Sequence, residues 1–323
     1  HRDDAGHFAG NTEPFRHWDG EEGEVPGTCA RCHTATGLPQ FIKEGVNITN
    51  HASNGFQCST CHDTANFPGF LAVNDVTFPS GAKVTFGECH QGRESTVSVN
   101  KAVAGADPDT PSDKLRFRNV HYFAAGATLF GTEVKGIYEY TGKEYLGRFN
   151  HDGTLNTCTS YHDAHALAPK LDACKGCHMV DDPALIRMSS SKDDYDGDGN
   201  IDEGLKGEVD TYGEKLYAAI QAYAKDVAGT GIVYDAAAYP YYFVDNDGDG
   251  KADVDDKGAA IGYNAFTPRL LEAAYNYQYV NKDPGAYVHN AKYIMQAMFD
   301  SIADLKTKVP TIDMTGMIRP PVQ

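Results

Sequence analysis

Hydrophobic and polar positions follow a helical period mainly in the last third of the chain. Behind Thr211–Glu214, which has the form of a capping box, apolar residues recur every three or four positions and predict a helix over about 212–227. A second helix is predicted to begin at Thr267-Pro268 and to end before Pro284. A third pattern, from Tyr287 to about residue 306, predicts a helix antiparallel to the second.

The first half of the chain shows much less of this periodicity. Gly and Pro interrupt it often, so we expect loops, turns and short helices over residues 1–178. One β-hairpin is predicted between Val134 and Phe149, around a turn at Thr141-Gly142. The pattern therefore divides the chain into residues 1–178 and a more helical region, residues 179–323.

Composition limits what this chain is able to do. Leu, Ile, Val and Phe make up only 61 of the 323 residues, and the net charge is −17. Both properties oppose collapse around an aliphatic core. No run approaches the roughly 20 apolar residues of a membrane span, and a pI near 5.1 argues against nucleic-acid binding. We therefore expect something other than aliphatic side chains to fill part of the interior.

The cysteines indicate what that something is. Three clusters have the form C-x-x-C-H, which is the attachment signature for c-type haem. Two thiols three residues apart reach the two vinyl groups of one porphyrin, and the next residue presents an imidazole to the iron. Zinc knuckles also use C-x-x-C pairs but do not require a following His, and adjacent pairs make poor disulfide staples. The three clusters are Cys29–His33, Cys58–His62 and Cys174–His178.

Two further clusters are degenerate. Phe86 replaces the first cysteine before Cys89-His90, and Tyr161 replaces the second cysteine between Cys158 and His162. We interpret both as haem sites held by one thioether; the alternatives are decayed sites without haem, or sequence errors at the two replaced positions. Five haem c groups are thus predicted, and no disulfide. The attachment residues are Cys29, Cys32, Cys58, Cys61, Cys89, Cys158, Cys174 and Cys177, and the proximal iron ligands are His33, His62, His90, His162 and His178.

Five irons with two histidine ligands each need five further histidines. His165 lies three residues after His162, and so short a span favours a neighbouring haem over its own. For each candidate taken alone, the alternative is an exposed or otherwise satisfied histidine. His1 and His7 are expected either to be exposed to solvent or to donate a ligand to another subunit. The candidate distal ligands are His17, His51, His121, His151, His165 and His289.

Two acidic loops have the spacing of calcium ligands. The later one places oxygen ligands at positions 1, 3, 5, 7, 9 and 12, with Gly at position 6, and ends in Asp instead of Glu. The earlier one matches through position 9 but has Leu205 at position 12, where Glu203 is the candidate to complete it. The alternative is a solvated acidic loop. The predicted ligands are Asp245, Asp247, Asp249, Lys251, Asp253 and Asp256, and Asp194, Asp196, Asp198, Asn200 and Asp202.

On the three C-x-x-C-H motifs, the Cys89–Arg93 segment and the Cys158–His165 segment, the chain resembles multihaem c-type cytochromes of periplasmic and extracellular electron transfer. This resemblance implies a multihaem cytochrome c fold: loops and short helices wrapped round stacked haems, with a helical C-terminal part and little β structure. It also implies attachment of haem after export. The start of the chain has no charged segment followed by an apolar one, as expected if a signal peptide has been removed.

The function expected from these residues is electron transfer outside the cytoplasmic membrane. The expected partners are other redox proteins or extracellular electron acceptors, and further copies of the chain in a homo-oligomer or open filament. The alternative is a multihaem reductase acting on a nitrogen or sulfur oxyanion, which needs one five-coordinate haem; no C-x-x-C-Lys motif occurs. Without haem, residues 1–178 are not expected to fold.

Overall fold

The chain consists mostly of helices and loops, with a few short strands. The computed structural model describes residues 13–19, 23–44, 48–51, 55–63, 65–67, 89–121, 123–151, 155, 157–163, 165–166, 168–187 and 191–322. His1, His7 and Phe86, which the sequence singled out, lie outside these residues. In the described part the fold is that expected for a multihaem cytochrome c.

The elements are short before residue 200 and longer after it. In chain order the helices are α1 (Glu13–Arg16), α2 (Gly27–His33), α3 (Gly37–Glu44), α4 (Cys58–Cys61), α5 (Thr96–Val103), α6 (Ala125–Phe130), α7 (Cys158–Tyr161), α8 (Asp172–His178), α9 (Leu205–Asp226), α10 (Pro268–Asn281), α11 (Ala286–His289) and α12 (Ala291–Lys306), with 3-10 turns at Gly131–Glu133 and Pro183–Leu185. The strands form three antiparallel pairs: β1 (Glu24–Val25) with β2 (Asn50–His51), β3 (His162–Asp163) with β4 (Ala168–Pro169), and β5 (Ile232–Tyr234) with β6 (Tyr242–Val244).

The chain divides into two compact units. Unit 1 holds residues 1–89 and 151–176, and unit 2 holds residues 90–150 and 177–323. This division differs from the predicted boundary after residue 178, because the prediction followed the haem motifs whereas the units follow packing. Residues 90–150 begin with His90, the last residue of one haem motif, but their apolar side chains join the core of the C-terminal helices.

Tyrosine supplies most of the largest buried side chains in the core of unit 2. Helices α9, α10 and α12 contact one another, and the largest fully buried side chains include seven tyrosines. Each buried hydroxyl needs a partner: Tyr242 donates to the Ala274 carbonyl at 2.8 Å, and Tyr293 to a Glu139 carboxylate oxygen at 2.9 Å. The aromatic supply thus compensates for the shortage of aliphatic residues. The seven are Tyr195, Tyr212, Tyr223, Tyr242, Tyr275, Tyr279 and Tyr293.

Helices occur at all three segments where the sequence pattern predicts them, but some of the predicted boundaries are wrong. Helix α10 begins as expected, with the Thr267 hydroxyl accepting the Leu270 N–H at 3.1 Å, and its ion pairs and hydrogen bonds to α12 are those of antiparallel neighbours. Helix α9 starts at Leu205, so the predicted capping box at Thr211 lies inside it. The buried Glu208 and two helical glycines hid its first turns from the hydrophobic pattern. Asn290 breaks the third helix into α11 and α12.

The predicted hairpin between Val134 and Phe149 is wrong. All of these residues are described and none lies in a strand, although the turn at Thr141-Gly142 is present. Side chains of distant helices bind the backbone of this segment and replace a strand partner. Asn276 of α10 accepts the Tyr138 N–H at 2.7 Å and donates to the Tyr138 carbonyl at 3.0 Å.

We expect Asn276→Ala to lower the free energy of unfolding of unit 2 by about 2–3 kcal/mol, because it leaves several buried polar groups without a partner. The side chain is fully buried, and its amide also donates to the Ser301 hydroxyl at 3.0 Å. Asn281→Ala is the matched control, since Asn281 lies on the same helix, is exposed and donates to the Tyr277 carbonyl. Denaturant unfolding followed by far-UV circular dichroism compares them; equal losses in both variants would contradict the argument.

Candidate haem-attachment and cation sites

The cysteine pairs lie on short helices. Cys29 and Cys32 belong to α2, Cys58 and Cys61 to α4, and the last pair to α8. Residues three apart on a helix share a face, so the two thiols of each pair project to the same side. All eight cysteines are among the described residues and none forms a disulfide. The thiols are therefore arranged as two thioether bonds to one porphyrin require.

In the three complete motifs the histidine stands where its helix ends. His33 is the last residue of α2, and His62 follows α4 with an extended backbone conformation. The fully buried Thr60 fixes the second motif to the first, because its hydroxyl donates to the Ala35 carbonyl at 2.7 Å and accepts the Gln57 N–H at 3.0 Å. This hydrogen bond therefore joins the second motif to the residues that directly follow the first motif.

His165 lies beside the histidine of a different motif. The rings of His62 and His165 have their centres 6.0 Å apart and are nearly parallel, at 18°. Metal–imidazole bonds are about 2 Å long, and a ring centre lies about 1 Å beyond its bonding nitrogen, so two ligands in line across one metal have ring centres about 6 Å apart. The spacing of this pair therefore fits one iron between the two rings.

The two degenerate motifs differ in the residues that they contact. Tyr161 stands in place of a cysteine, donates its hydroxyl to the Leu155 carbonyl at 2.6 Å and lies 5.7 Å from the His151 ring. Tyr161 thus has a structural role of its own at this position. In the other motif the carbonyl of His90 accepts the Gly126 N–H at 2.9 Å. The imidazole of His90 is stacked with the Phe123 ring, and the two ring centres lie 6.4 Å apart.

The other candidate distal histidines occupy varied positions. His17 contacts Trp18, whose ring lies 5.4 Å from that of His33. His51 is exposed on β2, opposite Glu24. His121 has φ +80°, a backbone conformation that L residues rarely adopt, and its N–H donates to the Asn119 side chain at 2.9 Å.

His289 has a buried carboxylate partner that sequence reasoning missed. Its Nδ1 lies 3.0 Å from both oxygens of Asp283, which is 2% exposed. Burial alone would lower the pKa of His289, but the Asp283 carboxylate raises it above its usual value. A proton on Nδ1 leaves a lone pair on Nε2, the arrangement common among metal-binding histidines. Gly285 makes room for the ring, since a Cβ there would lie 2.7 Å from its Cε1.

The structure gathers carboxylates in the loop before α9. Ligand atoms of Asp196, Asp198 and Glu203 all lie within 4.8 Å of one another, as do those of Asp194, Asp196 and Glu208. Glu203 therefore joins the loop as the sequence allowed, whereas Glu208, which follows the calcium pattern, was not foreseen. Asp202 is exposed and outside both groups, and Asn200 accepts the Asp202 N–H at 3.2 Å.

Charge is concentrated at this first loop. Burial raises the pKa of Glu203 to about 7, and the neighbouring Asp196, Glu208 and Asp198 add to that rise. Burial also raises the pKa of Glu208, against the opposing effect of Arg187. Clustered carboxylates that resist ionisation are a favourable place for a cation.

The second acidic loop brings together fewer of its predicted ligands. Carboxylate oxygens of Asp245, Asp247 and Asp253 lie within 4.8 Å of one another. Asp249 and Asp256 are outside this group, and Asp249 binds both the N–H and the ammonium group of Lys251. Both oxygens of Asp245 accept N–H groups, from Gly248 at 2.8 Å and Gly250 at 3.2 Å.

Comparison with known proteins agrees with the cysteine chemistry. The C-type polyheme cytochrome OmcC of Geobacter sulfurreducens (strain ATCC 51573 / DSM 12127 / PCA) is 28% identical to this chain, over 94% of the chain and 46% of the relative. OmcB of the same organism (strain DL-1 / KN400), also named a C-type polyheme cytochrome, is 28% identical over 90% of the chain and 46% of the relative. The chain is a multihaem c-type cytochrome.

This cytochrome spans slightly less than half the length of either relative. No family model and no solved structure matches it. Within the described residues of the cytochrome, no helix is both long enough and apolar enough to cross a membrane.

The residues of this cytochrome fit haem c as a donor set. The paired thiols on one helical face, the imidazole at each helix end and the 6.0 Å spacing of the His62 and His165 rings are the features that attachment and ligation need. The spacing of cysteine and histidine in the sequence revealed the first two, while only the fold brought the last pair together.

Proposed function

We propose that this cytochrome carries electrons through five covalently attached haem c groups, and that it does so outside the cytoplasmic membrane. Bound haem c supplies an iron couple that takes up and releases single electrons, at a potential set by axial ligands and solvent exposure. The protein's part is to attach each group through its cysteines, to ligate the iron with histidine on both sides, and to limit access of water.

The pairing of His62 with His165 is the observation that carries this proposal. The two histidines come from motifs about one hundred residues apart, and their ring centres lie 6.0 Å from one another. Filling both axial positions leaves no open site for a substrate, which favours electron transfer over a reaction at the iron. His165 is therefore the proposed distal ligand for the haem attached at Cys58 and Cys61.

The remaining distal ligands are proposed from the other candidate histidines. His289 has the strongest support among them, since Asp283 holds its ring and fixes its tautomer. The degenerate motifs are proposed to hold haem through Cys89 and Cys158 alone. The other candidates are His17, His51, His121 and His151.

A haem count tests the proposal directly. A pyridine haemochrome assay combined with intact mass should give five haems per chain, two of them through a single thioether. A count of three would contradict the assignment of the degenerate motifs. Electron paramagnetic resonance should show low-spin signals only; a high-spin signal in the unmodified protein would instead support the reductase that the sequence left open.

We expect His165→Ala to convert one low-spin haem to a high-spin one, because removal of the proposed distal ligand leaves an axial position to water or to no ligand. The matched variant His165→Met should keep that haem low-spin and raise its reduction potential, since methionine as second ligand raises the potential. Electron paramagnetic resonance and spectroelectrochemistry measure both effects. Unchanged spectra in His165→Ala would remove this histidine from the ligand set.

We further propose that copies of the chain associate head to tail into an open filament and pass electrons to other redox proteins or extracellular acceptors. The support is that the chain has 13 histidines where five bis-histidine irons need about ten, and that head-to-tail contacts tend to form open assemblies. Light scattering and electron microscopy test this; monomers with every iron six-coordinate would contradict it.

Calcium in the second acidic loop is part of the same proposal. Asp245, Asp247 and Asp253 supply the oxygen ligands that calcium prefers, with the carbonyl of Lys251 at the seventh loop position. The exposed surroundings of Asp247 and Asp249 suit a structural ion taken from a calcium-rich extracellular medium.

A further inference from the structure

Two carboxylate oxygens in the first acidic loop are buried without a donor. Asp196 is fully buried, and its Oδ2 has no hydrogen-bond partner among the described residues. The buried Oε1 of Glu203 likewise has no partner within the described part of the chain. Burying an unpaired carboxylate oxygen is costly, and native proteins nearly always satisfy such atoms. Both oxygens therefore point to a positively charged partner.

The carboxylates of Asp196 and Glu203 belong to the same cluster. Asp196 shares one group with Asp198 and Glu203 and another with Asp194 and Glu208, and the ligand atoms within each group lie no more than 4.8 Å apart. Arg187 offsets one of the five negative charges through its 2.7 Å contact with Glu208. Several carboxylate oxygens around one point match the ligands that calcium takes in proteins.

Three glycines support the conformation of this cluster. Asp194 is fixed by the N–H groups of Gly197 at 2.7 Å and Gly199 at 2.9 Å. Gly207 on α9 allows Glu203 to fold back over the helix, because a Cβ at that position would lie 1.8 Å from a Glu203 carboxylate oxygen. The conformation of Glu203 thus depends on the absence of a side chain at Gly207, one helical turn later in the chain.

The same loop is joined to a proposed iron ligand. The side chain of Arg187 is 7% exposed and binds the fully buried Glu208, while its backbone carbonyl lies 3.4 Å from Nδ1 of His178. Histidines that bind a metal usually donate their second N–H to a carbonyl or carboxylate, which fixes the ring. Arg187 therefore connects the acidic loop with the orientation of the His178 imidazole.

We propose that Asp194, Asp196, Asp198, Glu203 and Glu208 form a calcium site, and that the bound ion holds Arg187 in place against His178. The site is distinct from the second acidic loop and includes Glu208, which the sequence pattern did not point to. Its effect on His178 rests on the proposed function, in which that histidine ligates a haem iron; the calcium site itself does not.

Calorimetric titration of the EGTA-treated holoprotein with CaCl₂, repeated with MgCl₂ present, tests the site. Glu203→Gln and Gly207→Ala are expected to weaken one calcium-binding event by about 10- to 100-fold, as loss of a ligand or of its support does elsewhere. Asp247→Asn, in the second loop, is the matched control and should leave this event unchanged. Wild-type affinity in both Glu203→Gln and Gly207→Ala would overturn the site.

Spectroelectrochemical titration with and without CaCl₂ tests the link to His178. Calcium should shift the midpoint potential of one haem in the wild type and in Asp247→Asn, but not in Glu203→Gln. Absence of a shift in the wild type would overturn the link. Haem counting on the same samples separates this outcome from failure of the proposed function, since a chain lacking haem at Cys174 and Cys177 would still bind calcium in the first loop.

Discussion

A chain made without haem attachment is expected to lose the structure of unit 1 and to keep that of most of unit 2. In the described part of unit 1 only six apolar residues are buried: Phe15, Val25, Ala30, Ala35, Leu38 and Ile42. So small an apolar core cannot offset the conformational entropy of the chain. A porphyrin is a large apolar group, and its covalent attachment supplies the buried surface that the side chains lack.

Unit 2, in contrast, has a large core of its own side chains. Its core cluster extends from Val99 to Met317 and includes the buried tyrosines of α9, α10 and α12. Limited proteolysis of a chain with all eight cysteines replaced by serine should therefore leave a resistant fragment containing residues 191–322, and should digest residues before 90. The holoprotein, digested in parallel, should resist throughout both units. A haem-free chain in which residues 23–63 are also protected would contradict the account, as would complete digestion.

This expectation revises the one drawn from sequence, in which all of residues 1–178 depend on haem. Residues 90–150 belong with the C-terminal helices because their backbone is held by buried side chains there: Asn276 binds Tyr138, and Gln296 accepts the Leu146 N–H at 2.9 Å. These partners are more than one hundred positions away. Local pattern contains no information about them, and the same separation explains why the predicted hairpin was wrong.

The site predictions that the sequence allows are those whose chemistry is local. A C-x-x-C-H motif needs five consecutive residues, and a calcium-type loop needs about twelve. The sequence did not point to Glu208 or Asp283, because Glu208 lies outside the calcium-type pattern and Asp283 lies in no motif; the fold places them beside Asp196 and His289. Counting aliphatic residues alone also underestimated the core, since tyrosine fills it and hydrogen bonds satisfy its hydroxyls.

The second large effect is expected at Arg269, which holds the start of α10 to the end of α12. Its Nε lies 2.7 Å from Asp109, its terminal nitrogen binds Asp304, and the side chain is 13% exposed. Lys308 also binds Asp109, at 2.8 Å. Removing one member of a mostly buried ion network leaves uncompensated charge and costs about 3–5 kcal/mol. We therefore expect Arg269→Met to lower the free energy of unfolding of unit 2 by that amount at pH 7.

The pH dependence of this loss follows from the carboxylates around Arg269. Burial alone would raise the pKa of Asp109, but hydrogen bonds from Arg269, Lys308 and Tyr223 bring it below its usual value. The stability that ionised Asp109 contributes is therefore fully present at pH values above the pKa that Asp109 has in the unfolded chain, and it is lost as the pH falls towards the lower pKa of the folded chain. Burial raises the pKa of Glu272 to about 7 and also raises that of Asp304, so ionising these two groups opposes folding as pH rises.

Loss of Arg269 should accordingly cost most at pH 7 and above, and progressively less towards pH 4, where the neighbouring carboxylates take up protons. Denaturant unfolding of the holoprotein between pH 4 and pH 8, followed by the far-UV signal of the helices, measures the difference from wild type. Arg116→Met is the matched control, because Arg116 is exposed and binds only backbone carbonyls among the hydrogen bonds described for it. A loss in Arg269→Met that stays constant across this range, or that Arg116→Met equals, would show that the charge network does not hold the two helices together.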